Sequence, residues 1–128
     1  DKEISYDGLG SIRIESEDSS TAYLFIINDV DVENSRIMWR AYCKSESLEG
    51  SARLEIGVSL NDRDERGLGN YIHESKDSIT GTTDWKQMEV SFLVKEDNIS
   101  DLIQLNLLVE GKGIVWIDKV RFTTQAVP

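Results

Sequence analysis

Single apolar and polar residues alternate through residues 85–92, and this alternation constrains the fold more than any other feature of the sequence. After Trp85, one set of side chains is apolar except at its first position, and the other set is wholly polar: Lys86, Met88, Val90 and Phe92 against Gln87, Glu89 and Ser91. A period of two residues is typical of an antiparallel strand with one buried and one solvated face. Residues 81–84, Gly-Thr-Thr-Asp, predict a turn before this strand, because their glycine and short polar side chains favour turn conformations.

Further segments show the same alternation or a short apolar run, and none of them has a helical period: residues 11–16, 22–28, 37–45, 53–60, 71–72, 101–109 and 114–122. Residues 22–28 are almost continuously apolar, which predicts a strand that is buried on both faces or that lies at a sheet crossing. Turns are predicted at residues 17–20, 46–50 and 110–113. About eight strands joined by turns predict an all-β fold, an antiparallel β-sandwich or barrel.

Length and charge narrow the class of protein. The chain has 128 residues, and we expect residues 1–128 to form a single domain. Its 24 acidic and 14 basic side chains give a net charge of −10, which repels phosphate and disfavours nucleic acid as a partner. No apolar run approaches the roughly 18 residues of a membrane helix, so no membrane insertion is expected.

Residues that could carry catalysis are few. The single histidine, His73, lies in a predicted polar loop, and no nucleophile motif surrounds the nearby Ser75. No Cys/His cluster has zinc-binding spacing, and the charged run 61–69 lacks the spacing of a calcium loop, so we predict a solvated loop there. We therefore predict a protein without catalytic activity of its own.

Residues 37–45 have two unlike faces. One set is predicted to be core: Ile37, Trp39, Ala41 and Cys43. Because Cys43 belongs to this set and is the only cysteine, we predict a buried, unpaired thiol. The other set places Tyr42 between Arg40 and Lys44 on a face that should be wet. An aromatic ring can stack on the apolar side of a pyranose, and cations can bond hydroxyl groups or a carboxylate. The pattern thus predicts a sugar-binding face. The remaining tryptophans, Trp85 and Trp116, are predicted to lie in the core with Trp39.

Several motifs resemble the galactose-binding-type, carbohydrate-binding-module-like domains. They are Gly-Thr-Thr-Asp-Trp-Lys at residues 81–86 followed by Met-Glu-Val-Ser-Phe, Gly-Lys-Gly at 111–113, and Val-Trp-Ile-Asp-Lys-Val at 115–120. Arg-Ala-Tyr-Cys-Lys at residues 40–44 is similar to the third strand of that family. The similarity covers roughly residues 8–122. It implies a jelly-roll β-sandwich, in agreement with the alternation.

The resemblance also implies a function. Members are usually non-catalytic accessory modules of secreted bacterial hydrolases, so we expect an extracytoplasmic module whose partners are a carbohydrate and a neighbouring catalytic domain. The predicted ligand-binding residues are Tyr42, Arg40 and Lys44, with Tyr71 at the rim of the sheet. The alternative is a structural or protein-interaction spacer domain with no glycan ligand.

Many members of the family carry one structural calcium ion, and the resemblance assigns Asp118 and Asp7 as its ligands here. Lys119 replaces a second aspartate of the family's closing motif. The alternation places an apolar or neutral residue where Asp118 lies, so this carboxylate must be paired, hydrogen-bonded or bound to a cation. A metal-free alternative has Asp118 accepting backbone N–H groups from the first loop.

Overall fold

The computed structural model describes residues 3–4, 10–28, 32–62, 67–96 and 98–127, with only the backbone of residue 101. These residues form seven strands and no helix: β1 Ile12–Ser16, β2 Ser19–Asn28, β3 Ser35–Asn61, β4 Gly67–Glu74, β5 Ile79–Val94, β6 Ile99–Glu110 and β7 Gly113–Ala126. Every strand pair is antiparallel. The all-β prediction is confirmed. Within this part of the chain no helix could therefore cross a membrane.

The long strand β3 belongs to both layers of the fold. Its first part, residues 35–46, pairs with β5 and β7, and β1 pairs with β7; we call these strands the first layer. Its second part, residues 51–61, pairs with β4 and β6, and β2 pairs with β6; these strands form the second layer. With β3 counted once in each layer, eight strand segments form the predicted antiparallel β-sandwich.

Two predicted turns are wrong, at residues 46–50 and 81–84. Both segments continue as strand, and here β3 and β5 pass together from one layer to the other, with irregular register between Ser45 and Ala52. Ser47 and Gly81 adopt positive φ angles of 51° and 69°. The turn-forming residues thus bend the paired strands instead of reversing the chain, because each strand remains hydrogen-bonded to the other through the bend.

The core lies between the layers and takes the inward set of each alternating strand. Fully buried members come from both halves of β3, from β5 and from β6: Ile37, Trp39, Leu54, Ile56, Met88, Ile103, Leu105 and Leu107. The indole N–H of Trp39 donates to the Glu55 carbonyl at 3.1 Å, which links the two halves of β3. Trp39 is therefore core, as predicted. Trp85 is only half-buried, and Trp116 is buried but lies outside the core cluster, paired with the outward-facing Arg13.

The Cys43 thiol is buried and unpaired, as predicted. Burial raises its pKa from an ordinary 9.0 to about 12. Because the thiolate is the reactive form, we expect no labelling of the folded protein by a thiol reagent at about pH 8, and complete labelling in urea. The folded-state pKa is the higher one, so this group's contribution to stability is full below about pH 9 and falls as the pH rises toward 12. Rapid labelling of the native protein would contradict this placement.

Candidate functional site

The outer face of the second layer carries a groove of about 350 Å³. Three rows of cross-strand neighbours run across this face from β2 through β6 and β3 to β4. They are Tyr23, Asn106, Glu55 and Glu74; Ile26, Gln104, Gly57 and Ile72; and Asn28, Leu102, Ser59 and Asn70. The register therefore collects mostly polar side chains in the middle of the face, and on the two edge strands it places the apolar Tyr23, Ile26 and Ile72 among polar residues.

Each edge of the groove carries an exposed apolar side chain. Tyr23 on β2 is 68% exposed, and Ile72 on β4 is 66% exposed. Each strand pairs on one side only within the described residues, with β6 and with β3 respectively. Residues 22–28 are therefore an edge strand, and the prediction that both its faces are buried is wrong. Exposed apolar side chains on facing edges of a groove are typical of a ligand-binding site.

The floor of the groove is polar and has a gap at its centre. Gly57 contributes no side chain there, and a Cβ atom at this position would lie 3.8 Å from the Cβ atom of Gln104. The Ser59 hydroxyl bonds to the Asn70 side-chain oxygen at 2.5 Å. The absent side chain at Gly57 leaves room for a ligand to approach the sheet.

Asn106 lies in this floor with one unsatisfied atom. Its residue is 4% exposed, and its Nδ2 donates to Glu55 Oε1 at 2.8 Å. Its Oδ1 is buried and has no hydrogen-bond partner within the part of the chain that the structure describes. A buried acceptor without a donor lowers the stability of the fold by about 1–3 kcal/mol. A donor that the described residues do not supply would remove this penalty. A water molecule has the required chemistry, and a ligand hydroxyl group has it once a rotation of the Asn106 side chain exposes the oxygen to the groove.

The predicted ligand-binding residues lie on two different layers. Arg40, Tyr42 and Lys44 share the outer face of the first layer, where Arg40 Nε is 2.9 Å from Glu89 and Lys44 Nζ is 3.7 Å from Asp84. These three are brought together, and their binding role stays a prediction.

Tyr71 lies on β4 in the second layer, as the predicted short strand at residues 71–72 requires. Its register partner is the buried Val58, its ring centroid is 6.1 Å from that of Phe92, and its hydroxyl donates to the Leu68 carbonyl at 3.2 Å. Tyr71 is also among the residues that line the groove. The structure therefore separates Tyr71 from Tyr42, and its ligand role also stays a prediction.

His73 is not in a loop, which corrects the prediction. It lies on β4 with its ring edge-on to Phe92 at 4.7 Å, where it closes the edge of the sandwich. The hydroxyl of Ser75 is held by the Leu54 N–H at 3.1 Å and by the Asp77 carbonyl at 2.7 Å. The contacts of His73 and Ser75 therefore give each residue a structural role in the fold. Of the predicted charged loop, residues 63–66 lie outside the described residues, and residues 67–69 belong to β4.

Asp118 is half-buried at a bulge in β7. It is the register partner of Tyr42, and its Oδ1 accepts the N–H of Lys119 at 2.7 Å. Asp7, the other predicted calcium ligand, lies outside the described residues. In the described residues no three acidic, cysteine or histidine side chains cluster as a metal site would require, and Lys119 flanks the one carboxylate. The described residues thus do not by themselves fit calcium, and both the calcium site and the first-loop clasp stay predictions.

Sequence reasoning missed most of the groove. Glu55, Gly57 and Ser59 were recognisable as the outward set of an alternating strand, but nothing in the sequence showed which strands flank them. Tyr23 was concealed in a run that looked buried throughout. Asn106 is a polar residue within an apolar strand, which is the one local signal that could have identified it.

The fold is shared with known carbohydrate-binding modules. One similar structure is a family 16 carbohydrate-binding module, with a TM-score of 0.65 and 14% identity over 95% of this chain and 82% of that chain. Another is the CBM22-1 xylan-binding domain from Paenibacillus barcinonensis Xyn10C, with a TM-score of 0.63 and 16% identity over 100% of this chain and 80% of that chain. A third is TmCBM61 in complex with β-1,4-galactotriose, with a TM-score of 0.51 and 18% identity over 94% of this chain and 74% of that chain.

Other proteins share this architecture as well. A structure of infectious bursal disease virus matches with a TM-score of 0.58 and 16% identity, over 90% of this chain and 30% of that chain. No protein-family model and no curated protein sequence matches the chain. At these identities the comparisons establish the fold: the chain is a β-sandwich of the carbohydrate-binding-module type, as its motifs predicted.

Proposed function

We propose that this protein is a non-catalytic carbohydrate-binding module whose groove on the second layer holds a neutral glycan chain. The observation that carries the proposal is the combination of an exposed aromatic edge at Tyr23 with a polar floor that contains the unsatisfied Asn106 Oδ1. Sugars need both features, because a pyranose has an apolar face of C–H groups and a rim of hydroxyl groups.

Each part of the groove has a distinct task in this proposal. The Tyr23 ring stacks on one sugar ring, and a sugar hydroxyl donates to Asn106 Oδ1. Glu55 and Gln104 offer further polar atoms along the same floor. Glu55 adds negative charge to the floor in a chain whose net charge is already −10, while Glu74 beside it is paired with Arg53 at 3.5 Å. The charge of Glu55 favours a neutral glycan over an acidic one.

The solved structures support the choice of glycan probes. One similar structure is described as xylan-binding, another is complexed with xylohexaose, and a third holds β-1,4-galactotriose. The xylohexaose complex contains CBM22-1 and GH10 modules in one chain, of which this protein covers 23%. That arrangement supports our further proposal that the module is attached to a hydrolase. We also propose an extracytoplasmic location, as the resemblance implied.

Replacing Tyr23 by alanine is expected to weaken glycan binding by about 1–3 kcal/mol, roughly 5- to 150-fold, because the stacking platform is lost. The fold should survive, since the ring is exposed. Isothermal titration with xylohexaose and β-1,4-galactotriose measures the effect, and a thermal melt checks the fold.

Tyr42→Ala is the matched control, because it removes the same ring from the other layer. We expect it to leave binding of both oligosaccharides unchanged. If Tyr42→Ala weakened binding and Tyr23→Ala did not, the site would lie on the face that the sequence predicted. If a wider panel of neutral glycans gave no binding at all, the groove would not be a neutral-glycan site.

A further inference from the structure

A cationic cluster lies on the outer face of the first layer, opposite to the groove. Arg40 on β3 and Arg121 on β7 are direct register partners, and Lys119 lies two residues before Arg121. Together with Tyr42 and Gln87 they line a depression of about 110 Å³. No acidic side chain is part of this lining, while Glu89 pairs with Arg40 and Asp118 is the register partner of Tyr42 beside it. This concentration of positive charge runs against the composition of a chain with 24 acidic and 14 basic residues.

The arrangement is unfavourable without a ligand. Like charges directly opposite each other on neighbouring strands are destabilising. Glu89 bonds Arg40 through Nε at 2.9 Å, and within the described residues the other guanidinium nitrogens of Arg40 have no hydrogen-bond partner. Arg121 likewise forms no ion pair with any described residue. Two guanidinium groups thus remain close together, each with N–H donors available for a ligand. An anion between them would offset their repulsion.

A β-bulge adds the third cation to the depression. The register of β7 against β3 shifts between Arg40 and Tyr42, and Lys119 adopts a φ of 50° there. A residue other than glycine in this conformation costs on the order of 1 kcal/mol. Without the bulge, strict alternation would put Lys119 and Arg121 on the inward side with Ile117. The bulge therefore places both cations beside Arg40 on the outer face.

We propose that this depression binds the carboxylate of an acidic sugar, as a second glycan site on the face opposite to the groove. The depression is about 110 Å³, against about 350 Å³ for the groove, so it suits a small charged group such as a carboxylate better than a glycan chain. The half-buried ring of Tyr42, in the same lining, offers an apolar surface for the attached pyranose. Arginine forks match the two carboxylate oxygens.

The test is a titration with trigalacturonic acid and with neutral β-1,4-galactotriose at low salt, followed by amide chemical shifts. We expect the acid to shift the amides of Arg40, Tyr42, Gln87 and Arg121, and the neutral trisaccharide to leave them in place. Arg121→Gln should weaken binding of the acid about tenfold. Salt at about 0.5 M should also weaken it, because exposed charges are screened.

Arg36→Gln is the matched control, since it removes the same charge from the same layer, on the neighbouring strand β3 and outside the depression. We expect it to change binding of the acid less than twofold. If both variants weakened binding of the acid equally, the effect would come from net charge alone and the proposal would be overturned. Amide shifts confined to the groove, or no binding of the acid, would also overturn it. Arg121→Gln should also raise the melting temperature of the free protein, because it removes the opposed charge; a lower one would contradict the repulsion. These outcomes do not depend on whether the groove binds a neutral glycan.

Discussion

Gly50→Ala is expected to destabilise the protein by about 3 kcal/mol or more, the largest stability effect that we predict for a single methyl group. Gly50 lies where β3 bends between the layers, against the hairpin that joins β6 to β7. A Cβ atom there would overlap the Glu110 carbonyl and lie 3.3 Å from the Gly111 nitrogen. Both neighbours are backbone, so neither can move aside as a flexible side chain would. Urea denaturation measures the change.

Gly57→Ala is the control on the same strand, because its added Cβ would meet only Gln104 at an ordinary contact distance of 3.8 Å. We expect its stability to equal or slightly exceed that of the wild type. If Gly50→Ala were equally stable, the hairpin would not press on the bend of β3 as described. The pair thus separates the general effect of removing a glycine from the close packing at the bend.

Gly57→Gln is expected to abolish glycan binding without unfolding the protein, which is the largest binding effect that we predict. Gly57 lies at the centre of the groove floor, and its φ is not in the positive range that only glycine tolerates well. A glutamine side chain would occupy the space that the ligand needs, while its polar end remains in solvent. Isothermal titration with the glycans that bind the wild type measures the loss.

The smaller substitution Gly57→Ala again supplies the control, since one methyl group leaves most of the groove open. We expect Gly57→Ala to bind within a few-fold of the wild type and both variants to melt at or above its midpoint. Wild-type affinity in Gly57→Gln would place the ligand elsewhere. A lower melting midpoint with lost binding would show that the substitution damaged the sheet, and the steric argument would fail.

Local pattern was sufficient to predict most of the fold. Alternation over residues 37–45, 53–60 and 85–94 identified strands and their core faces, because a side chain's face depends only on its position along the strand. The bend at residues 46–50 was misjudged as a turn. Its polar and glycine residues suit a chain reversal equally well, and only pairing with β5 keeps the segment in the sheet.

The candidate site was harder to predict, because it depends on which strands are neighbours. Tyr42 was correctly placed on an outward face, since one strand decides that. The groove combines β2, β6, β3 and β4, and the distance between Tyr23 and Asn106 in sequence carries no information about their pairing. The bulge that places Lys119 and Arg121 outward also breaks the alternation on which the prediction relied.

The central claim, a neutral-glycan site on the second layer, is tested most directly by amide chemical-shift mapping during titration with xylohexaose and β-1,4-galactotriose. We predict that at least one of them shifts the amides of Tyr23, Glu55, Gly57 and Asn106 in a saturable manner and leaves Tyr42 and its neighbours on the first layer unchanged. Saturable shifts confined to the first layer, or an unchanged spectrum with these and a wider panel of neutral oligosaccharides, would contradict the claim.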